Sequence, residues 1–442
     1  MTTTTVAYEH PEVESLDRDA LCALQERRLA ALGARLAASP DWVAHFAQAG
    51  LHPRDLTSLE ALRAVPTLEK SALRERYPFP LLTVPVERVS RFVATSGTTG
   101  PPVTFGFTDA DRALTAQQMA RILRCAGVRP GDRVYQGYGY GLWIGGVAMD
   151  WGLADFGATN FGIGPGRAEL VVTWLRDHAY TACTMSPLWL MTLVTTAREH
   201  GIDPRRDWAL RVGLFGGQSV SSTFRDELEA AMPDGFLAQN IYGTTESGGP
   251  NLAISCPASH DRDLMHLINE DTILTEIVDP VTLRPTEPGA VGEIVVTTLQ
   301  KEASPVVRWR TRDLVRLADD PAGCPCGRRA FPLIGRIVGR SDDMLKIRGV
   351  IVYPSQIEDV IAAHPATAKE AWQIYVDRTD RILDDATVAV ERRAHAQHPA
   401  QRVRDDVSSA LHARLGIRLR VEVHEEGTLP RYEAKAVRVI VR

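Results

Sequence analysis

Residues 180–187 read Tyr-Thr-Ala-Cys-Thr-Met-Ser-Pro, and residues 211–217 read Arg-Val-Gly-Leu-Phe-Gly-Gly. Each stretch holds a short apolar run of the kind that a buried strand supplies. Ser-Pro at the end of the first is typical of an N-cap and the first helical position, so a helix is predicted from Pro187. Thr223 and Asp226 resemble a capping box that opens a second helix. Strands alternating with helices in this way predict βαβ units and a largely parallel sheet.

The flanking regions show other periodicities. Leucines at helical spacing between residues 17 and 49 predict one or two helices on the outside of a larger body. Residues 272–278 and 292–299 alternate apolar and polar side chains, which predicts an antiparallel β region after the alternating part.

The C-terminal part of the chain has a compact α+β pattern. Strands are predicted at residues 344–347 and 350–353, and a helix is predicted over residues 354–363. We therefore predict the α/β class, with a large N-terminal domain over residues 1–339 and a small α+β domain over residues 340–442.

The composition is that of an ordinary globular protein. Of 442 residues, 44% are hydrophobic and 24% are charged, and the formal net charge is −5. Because no half or tail of the chain is basic, nucleic acid is not an expected partner. No apolar run reaches the ~20 residues of a membrane span. The N-terminus lacks the pattern of a signal peptide, and six cysteines suggest no disulfide framework, so a cytoplasmic protein is expected.

A loop rich in glycine and hydroxyl groups follows a strand predicted at residues 91–93. Residues 94–100 read Ala-Thr-Ser-Gly-Thr-Thr-Gly. Glycine lets backbone N–H groups approach a phosphate, and hydroxyls add donors without bulk. The lysine of a Walker A loop is missing, since Pro101 follows Gly100. Taken alone, the stretch fits a phosphate loop and a polar turn equally well.

A second motif places an aromatic side chain, two threonines and one carboxylate between glycines. Residues 241–249 read Ile-Tyr-Gly-Thr-Thr-Glu-Ser-Gly-Gly. The aromatic ring can stack on a base, threonine can hydrogen-bond a phosphate or a carboxylate, and Glu246 can hold Mg²⁺. Taken alone, a surface turn with a solvated glutamate is the better explanation.

Three further motifs lie closer to the C-terminus. Residues 308–314, Arg-Trp-Arg-Thr-Arg-Asp-Leu, put Asp313 beside three arginines, where it either accepts ribose hydroxyls or forms a salt bridge. Residues 335–349 are rich in glycine and charge and lead on to residues 353–358. Residues 429–435, Leu-Pro-Arg-Tyr-Glu-Ala-Lys, form a polar turn that ends on a lysine.

The order and spacing of these five motifs resemble the adenylate-forming superfamily of acyl-CoA ligases, with the closest match in the phenylacetate–CoA ligase family. The resemblance runs from near His10 to the end of the chain. It implies a large adenylate-forming domain and a small mobile C-terminal domain. It also implies an enzyme that uses ATP and Mg²⁺ to turn a small carboxylic acid into an acyl-adenylate and pyrophosphate. The C-terminal domain then rotates, and CoA takes the acyl group with release of AMP.

The resemblance also implies which residues bind the nucleotide. They are Ser96, Gly97, Thr98, Thr99, Gly100, Gly217, Gln218, Tyr242, Gly243, Thr244, Asp313, Arg340 and Asp342. Residues 96–100 correspond to the loop that orients the β- and γ-phosphates, Tyr242 to the aromatic on adenine, and Asp313 to the ribose-binding carboxylate. Arg340 falls on the linker between the domains, and Asp342 falls at its hinge.

Three residues have implied catalytic roles. Thr245, or Thr244 beside it, corresponds to the α-phosphate contact, and Glu246 corresponds to the Mg²⁺ ligand. Lys435 corresponds to the lysine that bridges the carboxylate and the α-phosphate during adenylation. Two positions depart from the family pattern. Gln218 stands where an acidic residue is more common, and Pro101 begins a Pro-Pro pair where a basic residue often follows the phosphate loop.

Two short clusters supply three thiols and one imidazole, a ligand set that structural zinc sites often have. They comprise Cys256, His260, Cys324 and Cys326, with His266 as an alternative to His260. Relatives in the family can carry a structural zinc at this place. Free thiols beside a solvated histidine are the alternative explanation.

The region after the strand near residue 135 is rich in aromatic residues and glycines. In the family the corresponding stretch lines the acyl site. Tyr138, Tyr140 and Trp143 would suit a flat aromatic acid by stacking, and Phe215 is a further candidate. The expected substrate is therefore an aryl or arylacetic acid, although core packing explains each single aromatic nearly as well.

Two alternatives to an aromatic acid–CoA ligase stay open in the sequence. An amine or a carrier protein would replace CoA as acceptor without changing the adenylation chemistry. A non-catalytic nucleotide-binding protein on the same fold is the other, although such a protein has no chemical need for Glu246, Asp313 and Lys435 together. A homodimer is possible.

Overall fold

The computed structural model describes residues 7–79, 81–95, 102–218, 220–343, 345–347, 350–376, 386–431 and 438–441. The chain forms two compact units. The larger comprises Met1–Val220, Leu228–Thr311 and Arg316–Arg336, and the smaller comprises Ser221–Glu227, Arg312–Val315 and Ile337–Arg442. The main part of the smaller unit thus begins at Ile337, and the domain boundary after residue 339 stays a prediction.

Helices occur along most of the chain up to residue 230. They are α1 (Pro11–Glu14), α2 (Arg18–Leu36), α3 (Pro40–Ala47), α4 (Leu59–Ala64), α5 (Lys70–Arg74), α6 (Asp109–Ala126), α7 (Ile144–Phe156), α8 (Ala168–Asp177), α9 (Pro187–Glu199), α10 (Pro204–Asp207) and α11 (Ser222–Ala230). Short 3₁₀ turns lie at Pro53–Asp55, Val86–Arg88 and Pro257–Arg262. Within the described residues, none of the helices has both the length and the apolarity that crossing a membrane requires.

The strands up to residue 340 are β1 (Arg91–Ala94), β2 (Thr104–Phe107), β3 (Arg133–Gln136), β4 (Thr159–Phe161), β5 (Ala182–Met185), β6 (Val212–Phe215), β7 (Leu237–Thr244), β8 (Gly249–Ile254), β9 (Leu264–Leu267), β10 (Ile273–Val278), β11 (Val291–Thr298), β12 (Trp309–Leu317) and β13 (Leu333–Arg340). Strands β1 and β2 form an antiparallel hairpin, and the others join one sheet in the order β10-β11-β12-β13-β9-β8-β7-β6-β5-β3-β4.

The sheet has a parallel part and an antiparallel part. Strands β4, β3, β5, β6 and β7 are parallel neighbours, which confirms the βαβ prediction. Strands β7, β8 and β9 pair antiparallel, as do β10 and β11, which confirms the antiparallel region predicted after residue 271. Because parallel strands present their carboxyl ends at one edge, the loops after β3, β5, β6 and β7 emerge on that edge, where α/β proteins bind ligands.

Two predicted helix starts have different outcomes. Helix α9 begins at Pro187, and the backbone N–H of Trp189 donates to the Ser186 hydroxyl at 3.3 Å, so the predicted cap is confirmed. The capping box at Thr223 was wrong. Helix α11 already begins at Ser222, and the preceding Ser221 hydroxyl accepts from the N–H of Phe224 at 3.3 Å.

The smaller unit contains a hairpin, a sheet and two helices. Its elements are β14 (Leu345–Ile347), β15 (Val350–Val352), α12 (Pro354–Ala363), β16 (Thr367–Val376), β17 (Ala386–Arg392), α13 (Ala400–Leu415), β18 (Arg420–Glu425) and β19 (Val439–Val441). The sheet has the order β18-β17-β16-β19. Its core includes the fully buried Ile357, Trp372, Val388 and Leu411, which confirms the α+β pattern read after residue 340.

Polar bonds fasten α2 to the large sheet. The Gln25 side-chain amide donates to the carbonyl and to the carboxylate of Glu270, at 2.8 and 3.1 Å. The Asp271 carboxylate forms salt bridges with Arg28 at 3.0 Å and with Arg121 of α6 at 2.5 Å. The N-terminal helices are therefore a fixed layer of the larger unit.

Glu270 makes the stability of the larger unit depend on pH. Its burial raises the pKa to about 7 from 4.5, against the smaller opposite effect of the Arg18 charge. Folding therefore favours the protonated form of Glu270. The contribution of this carboxyl group to the stability of the folded protein is complete below about pH 4.5 and is lost as the pH rises through about 7. We expect the free energy of unfolding of Glu270→Gln, relative to that of wild type, to rise by up to about 3 kcal/mol between pH 5 and pH 8. Thermal unfolding at both pH values measures this gain, and the exposed Glu287→Gln is the control. A gain that does not change with pH would contradict the expectation.

Candidate active site

The motif at residues 241–249 forms a tight turn between β7 and β8. Gly243 faces the returning strand so closely that a Cβ there would overlap the carbonyl oxygen of Gly249. The Ser247 hydroxyl donates to the Thr244 carbonyl at 2.9 Å, and the Ser247 N–H donates to the Thr244 hydroxyl at 3.2 Å. Ser247 also bonds Asn251 at 2.9 Å. These bonds fix the turn before any ligand arrives.

Glu246 projects from this turn, and its surroundings are nearly closed to solvent. The residue is 9% exposed, and Thr245 beside it is 4% exposed. Among the described residues no group donates a hydrogen bond to the Glu246 carboxylate, although carboxylates this buried are normally bonded. A nearly buried carboxylate without a donor suits a cation ligand, and Mg²⁺ takes one or two carboxylates together with phosphate oxygens.

Tyr242 is half-buried on β7, opposite Ala253 of β8. It lies in the strand immediately before the turn, and its implied place beside the nucleotide base stays a prediction. The turn and the ring thus belong to one rigid hairpin.

The glycine pair after β6 lies beside the loop that follows β3. A Cβ on Gly216 would lie 3.1 Å from the Tyr138 hydroxyl and 3.0 Å from the Ile241 carbonyl oxygen. Gly217 has φ +81°, a left-handed conformation that favours glycine. Gln218 follows and is half-buried. The close approach at Gly216 explains why this strand end carries no side chain.

Tyr138 joins the ends of three parallel strands. Its hydroxyl donates to the Met185 carbonyl at 3.0 Å and lies 3.5 Å from that of Leu214. Burial raises the pKa of Tyr138 well above its ordinary value, so the hydroxyl stays a donor. The ring meets Trp143 edge to face at 5.5 Å between centroids. Tyr138 therefore forms part of the wall of the loop and does not offer a free hydroxyl.

The other predicted acyl contacts differ in exposure. Tyr140 is 36% exposed, and its hydroxyl donates to Asp150 at 3.2 Å. Trp143 is half-buried at the N-cap of α7. Phe215, by contrast, is fully buried and packs against Phe236 at 6.5 Å between centroids. The structure places Phe215 in the core, because β6 is central in the sheet and covered on both faces.

Asp313 on β12 faces an arginine that the linear motif did not indicate. Arg340 on β13 lies 2.9 Å from Asp313 and forms a two-point ion pair with Asp342 at 2.9 and 3.0 Å. Burial alone would lower the pKa of Arg340, but the carboxylates of Asp313 and Asp342 raise it above its ordinary value. The neighbouring Arg308 and Arg310 pair with glutamates on other strands instead.

Three cysteines and one histidine converge in the larger unit. The Sγ of Cys256 lies 3.7 Å from Sγ of Cys324 and 3.7 Å from Nε2 of His266, and Cys326 Sγ lies 3.2 Å from the same nitrogen. All four ligand atoms lie within 4.8 Å of one another, and all four residues are buried. A tetrahedral zinc ion with Zn–S bonds of ~2.3 Å has sulfur–sulfur edges of ~3.8 Å. The cluster therefore has the size of a Cys₃His zinc site.

The histidine of this cluster is His266, so the choice of His260 was wrong. Antiparallel pairing of β8 and β9 sets His266 opposite Ile254, two residues before Cys256. Pairing of β9 with β13 sets His266 opposite Leu333, beyond the loop with Cys324 and Cys326. His260 lies in the intervening 3₁₀ turn and pairs with Glu229 at 2.9 Å.

Comparison with known proteins identifies the family. Residues 92–300 match the family model described as AMP-binding enzyme, and residues 349–442 match AMP-binding enzyme C-terminal domain. The phenylacetate-coenzyme A ligase of Pseudomonas putida is 40% identical over 89% of this chain and 88% of its own. The enzymes of that name from Escherichia coli and Thermus thermophilus are 37% and 35% identical, over 96–98% of both chains. The chain belongs to the phenylacetate-coenzyme A ligase family. It is an AMP-forming acid–CoA ligase.

Solved structures agree with the predicted fold class. A 2-hydroxyisobutyryl-CoA ligase in the postadenylation state with 2-HIB-AMP has a TM-score of 0.85 at 28% identity, over 96% of this chain and 89% of that chain. The same enzyme with 2-HIB-AMP and CoA in the thioesterification state gives 0.71 at 29% identity, over 98% and 91%. The adenylate-forming α/β fold that the motifs implied is confirmed.

Part of the predicted nucleotide site lies outside the described residues. Ser96, Gly97, Thr98, Thr99 and Gly100 of the phosphate loop and Lys435 belong to that part of the chain. The described hairpin at residues 241–249 contains the aromatic ring, the threonines and the carboxylate that the resemblance implies for the site, and their roles stay predictions.

Sequence reasoning missed Lys301, which lies after β11 near Glu246. The residue is 4% exposed, and its Nζ has no hydrogen-bond acceptor among the described residues. Burial lowers the pKa of Lys301 to about 8, and the charges of Asp111 and Glu246 oppose that effect. The sequence offers one indication that Lys301 is buried. It is a single lysine between the apolar run that ends at Leu299 and the apolar residues 305–307.

Proposed function

We propose that this ligase adenylates an aromatic carboxylic acid, an aryl or arylacetic acid, and transfers the acyl group to the thiol of CoA. The observation that carries the proposal is the extent of identity with proteins named phenylacetate-coenzyme A ligase, 35–40% over 89–98% of the chain. The loop after β3 adds support, because Tyr140 and Trp143 present flat rings that are not fully buried.

In the first step, an oxygen of the acid attacks the α-phosphorus of ATP, and pyrophosphate leaves. This step needs the two reactants in line and the negative charge at the α-phosphate offset. Tyr242 holds the base, Thr244 and Thr245 contact the α-phosphate, and Asp313 holds the ribose. Lys435 bridges the two negatively charged reactants. Mg²⁺ on Glu246 supplies charge neutralisation when bound.

In the second step, the thiolate of CoA attacks the acyl carbon, and AMP leaves as the acyl–oxygen bond breaks. An ammonium group over the adenylate is no longer required and would obstruct the channel. Removal of Lys435 by domain rotation, with Arg340 and Asp342 at the hinge, serves both steps. The Cys256–His266–Cys324–Cys326 cluster binds a structural zinc ion, which takes no part in the chemistry.

The test is acid-dependent pyrophosphate release from ATP and Mg²⁺ over aryl, arylacetic and short aliphatic acids, with and without CoA. We expect release with an aromatic acid and an acyl-CoA mass only when CoA is present. Release only with aliphatic acids would contradict the aromatic substrate. Release without any thioester would contradict CoA as the acceptor and favour an amine or a carrier protein.

A further inference from the structure

Lys301 is a buried cation that no hydrogen bond explains. It follows β11 and is 4% exposed, and its Nζ has no acceptor among the described residues. The ammonium lies over the ring of Phe107 at 4.3 Å from the centroid and near that of Phe105 at 5.4 Å. The faces of these rings stabilise a cation but provide no directed bond. A fully desolvated ammonium in such a place requires a further role.

The backbone around Lys301 is held by hydrogen bonds from two other elements. Asp111 of α6 accepts hydrogen bonds from the N–H groups of Glu302 and Ala303, at 2.6 and 2.9 Å. The Arg35 guanidinium donates to the Lys301 carbonyl oxygen at 3.3 Å. Asp111 is thus occupied by backbone donors and is not a close partner for the ammonium.

A small cavity joins Lys301 to the turn that carries Glu246. The cavity is lined by Lys301, Ser247 and Gly248, and also by Asp111, Thr115 and Thr298. Ser247 and Gly248 directly follow Glu246, whose carboxylate has no donor among the described residues. The charges of Glu246 and Asp111 both act on Lys301. The Lys301 ammonium is therefore within electrostatic range of two carboxylates and borders the same cavity as the turn.

We propose that Lys301 is a positioning residue for MgATP, whose buried ammonium offsets the negative charges of Asp111 and Glu246 beside the turn that receives the metal–nucleotide complex. This inference rests on the proposed role of Glu246. With Lys301 the three side chains carry a net charge of −1, and without it they carry −2. MgATP is itself an anion, so the added negative charge disfavours its binding in a desolvated site.

The experiment compares wild type with Lys301→Met, which keeps the length of the side chain and removes its charge. Calorimetric titration is expected to show about tenfold weaker binding of MgATP. Acid-dependent pyrophosphate release is expected to show a raised KM for MgATP and an unchanged KM for the acid. Thioester formation from a synthetic acyl-adenylate is expected to keep the wild-type rate, because that step uses no MgATP.

Lys70→Met is the matched control, because it removes the same charge from α5 of the same unit and should leave MgATP affinity unchanged. Lys301→Arg, which keeps the charge, is expected to recover part of the affinity. Unchanged MgATP affinity in Lys301→Met, or equal losses in both half-reactions and for both substrates, would overturn the inference. A wild-type protein that binds MgATP but releases no pyrophosphate with any acid would instead overturn the proposed function, and the titration would still test Lys301.

Discussion

Lys435→Ala is expected to lose most acid-dependent pyrophosphate release while thioester formation from a preformed acyl-adenylate stays close to the wild-type rate. In adenylation the negatively charged carboxylate approaches the negatively charged α-phosphate. A cation between the two groups stabilises the transition state more than the separated reactants. Loss of one such group typically lowers the rate on the order of 10²–10³-fold. In the second half-reaction the acyl-adenylate is already formed, so the same charge has no comparable task.

The two half-reactions are measured separately, as pyrophosphate release and as acyl-CoA formed from synthetic acyl-adenylate. Lys435→Arg tests whether charge alone suffices. Arg402→Ala removes a positive charge from the exposed face of α13 in the same unit, where the side chain is 68% exposed, and should change neither rate. Equal loss of both half-reactions in Lys435→Ala would show that the lysine supports folding or both steps, contrary to the proposed role.

Purified protein is expected to contain one zinc ion per chain, and His266→Ala is expected to lose it together with much of its thermal stability. A zinc ion on this cluster would connect the end of β8, β9 and the loop at residues 324–326, so its loss would release three segments at once. The N-terminal segment would loosen as well, because the Tyr8 hydroxyl donates to the Cys326 carbonyl at 3.1 Å. The expected loss is on the order of 5 kcal/mol, since structural zinc sites contribute directly to folding.

His260→Ala is the matched control for this experiment. His260 lies only six residues from His266 but pairs with Glu229, so its loss should leave the zinc content at one. Metal content is measured by mass spectrometry of gently purified protein, and stability by thermal unfolding. Zinc retained in His266→Ala, or absent from wild type, would contradict the assignment.

Much of the fold followed from local patterns. The short apolar runs at β5 and β6, the Ser186–Pro187 helix start and the alternating pattern of β10 and β11 all correspond to elements of the structure. These signals succeed because strand pleat and helical turn impose periods of two and 3.6 residues on any buried face. The prediction of Thr223 as the helix cap was wrong because Ser221, two residues earlier, accepts the capping hydrogen bond.

The candidate site was only partly accessible to the same reasoning. Residue type alone favoured a surface turn at Glu246 and Tyr242, and only the resemblance of five ordered motifs to the acyl-CoA ligase superfamily implied their roles in the site. Phe215 was a further candidate for the acyl pocket, and the sequence did not indicate that the central place of β6 in the sheet buries it. The sequence offered almost no indication that Lys301 is buried, because sequence alone does not distinguish a buried lysine in an apolar region from an exposed one.

The amino-acid sequence therefore specified the order of strands and helices, the motifs of an adenylate-forming ligase and the types of ligand available to zinc. Only the tertiary structure showed that His266, and not His260, joins the three cysteines, and that Arg340 of the neighbouring strand pairs with Asp313. It also brought Lys301 to the Glu246 turn across a gap of more than fifty residues. The reason is physical: residue type and spacing determine what a side chain can do, whereas strand pairing and burial determine which side chains meet.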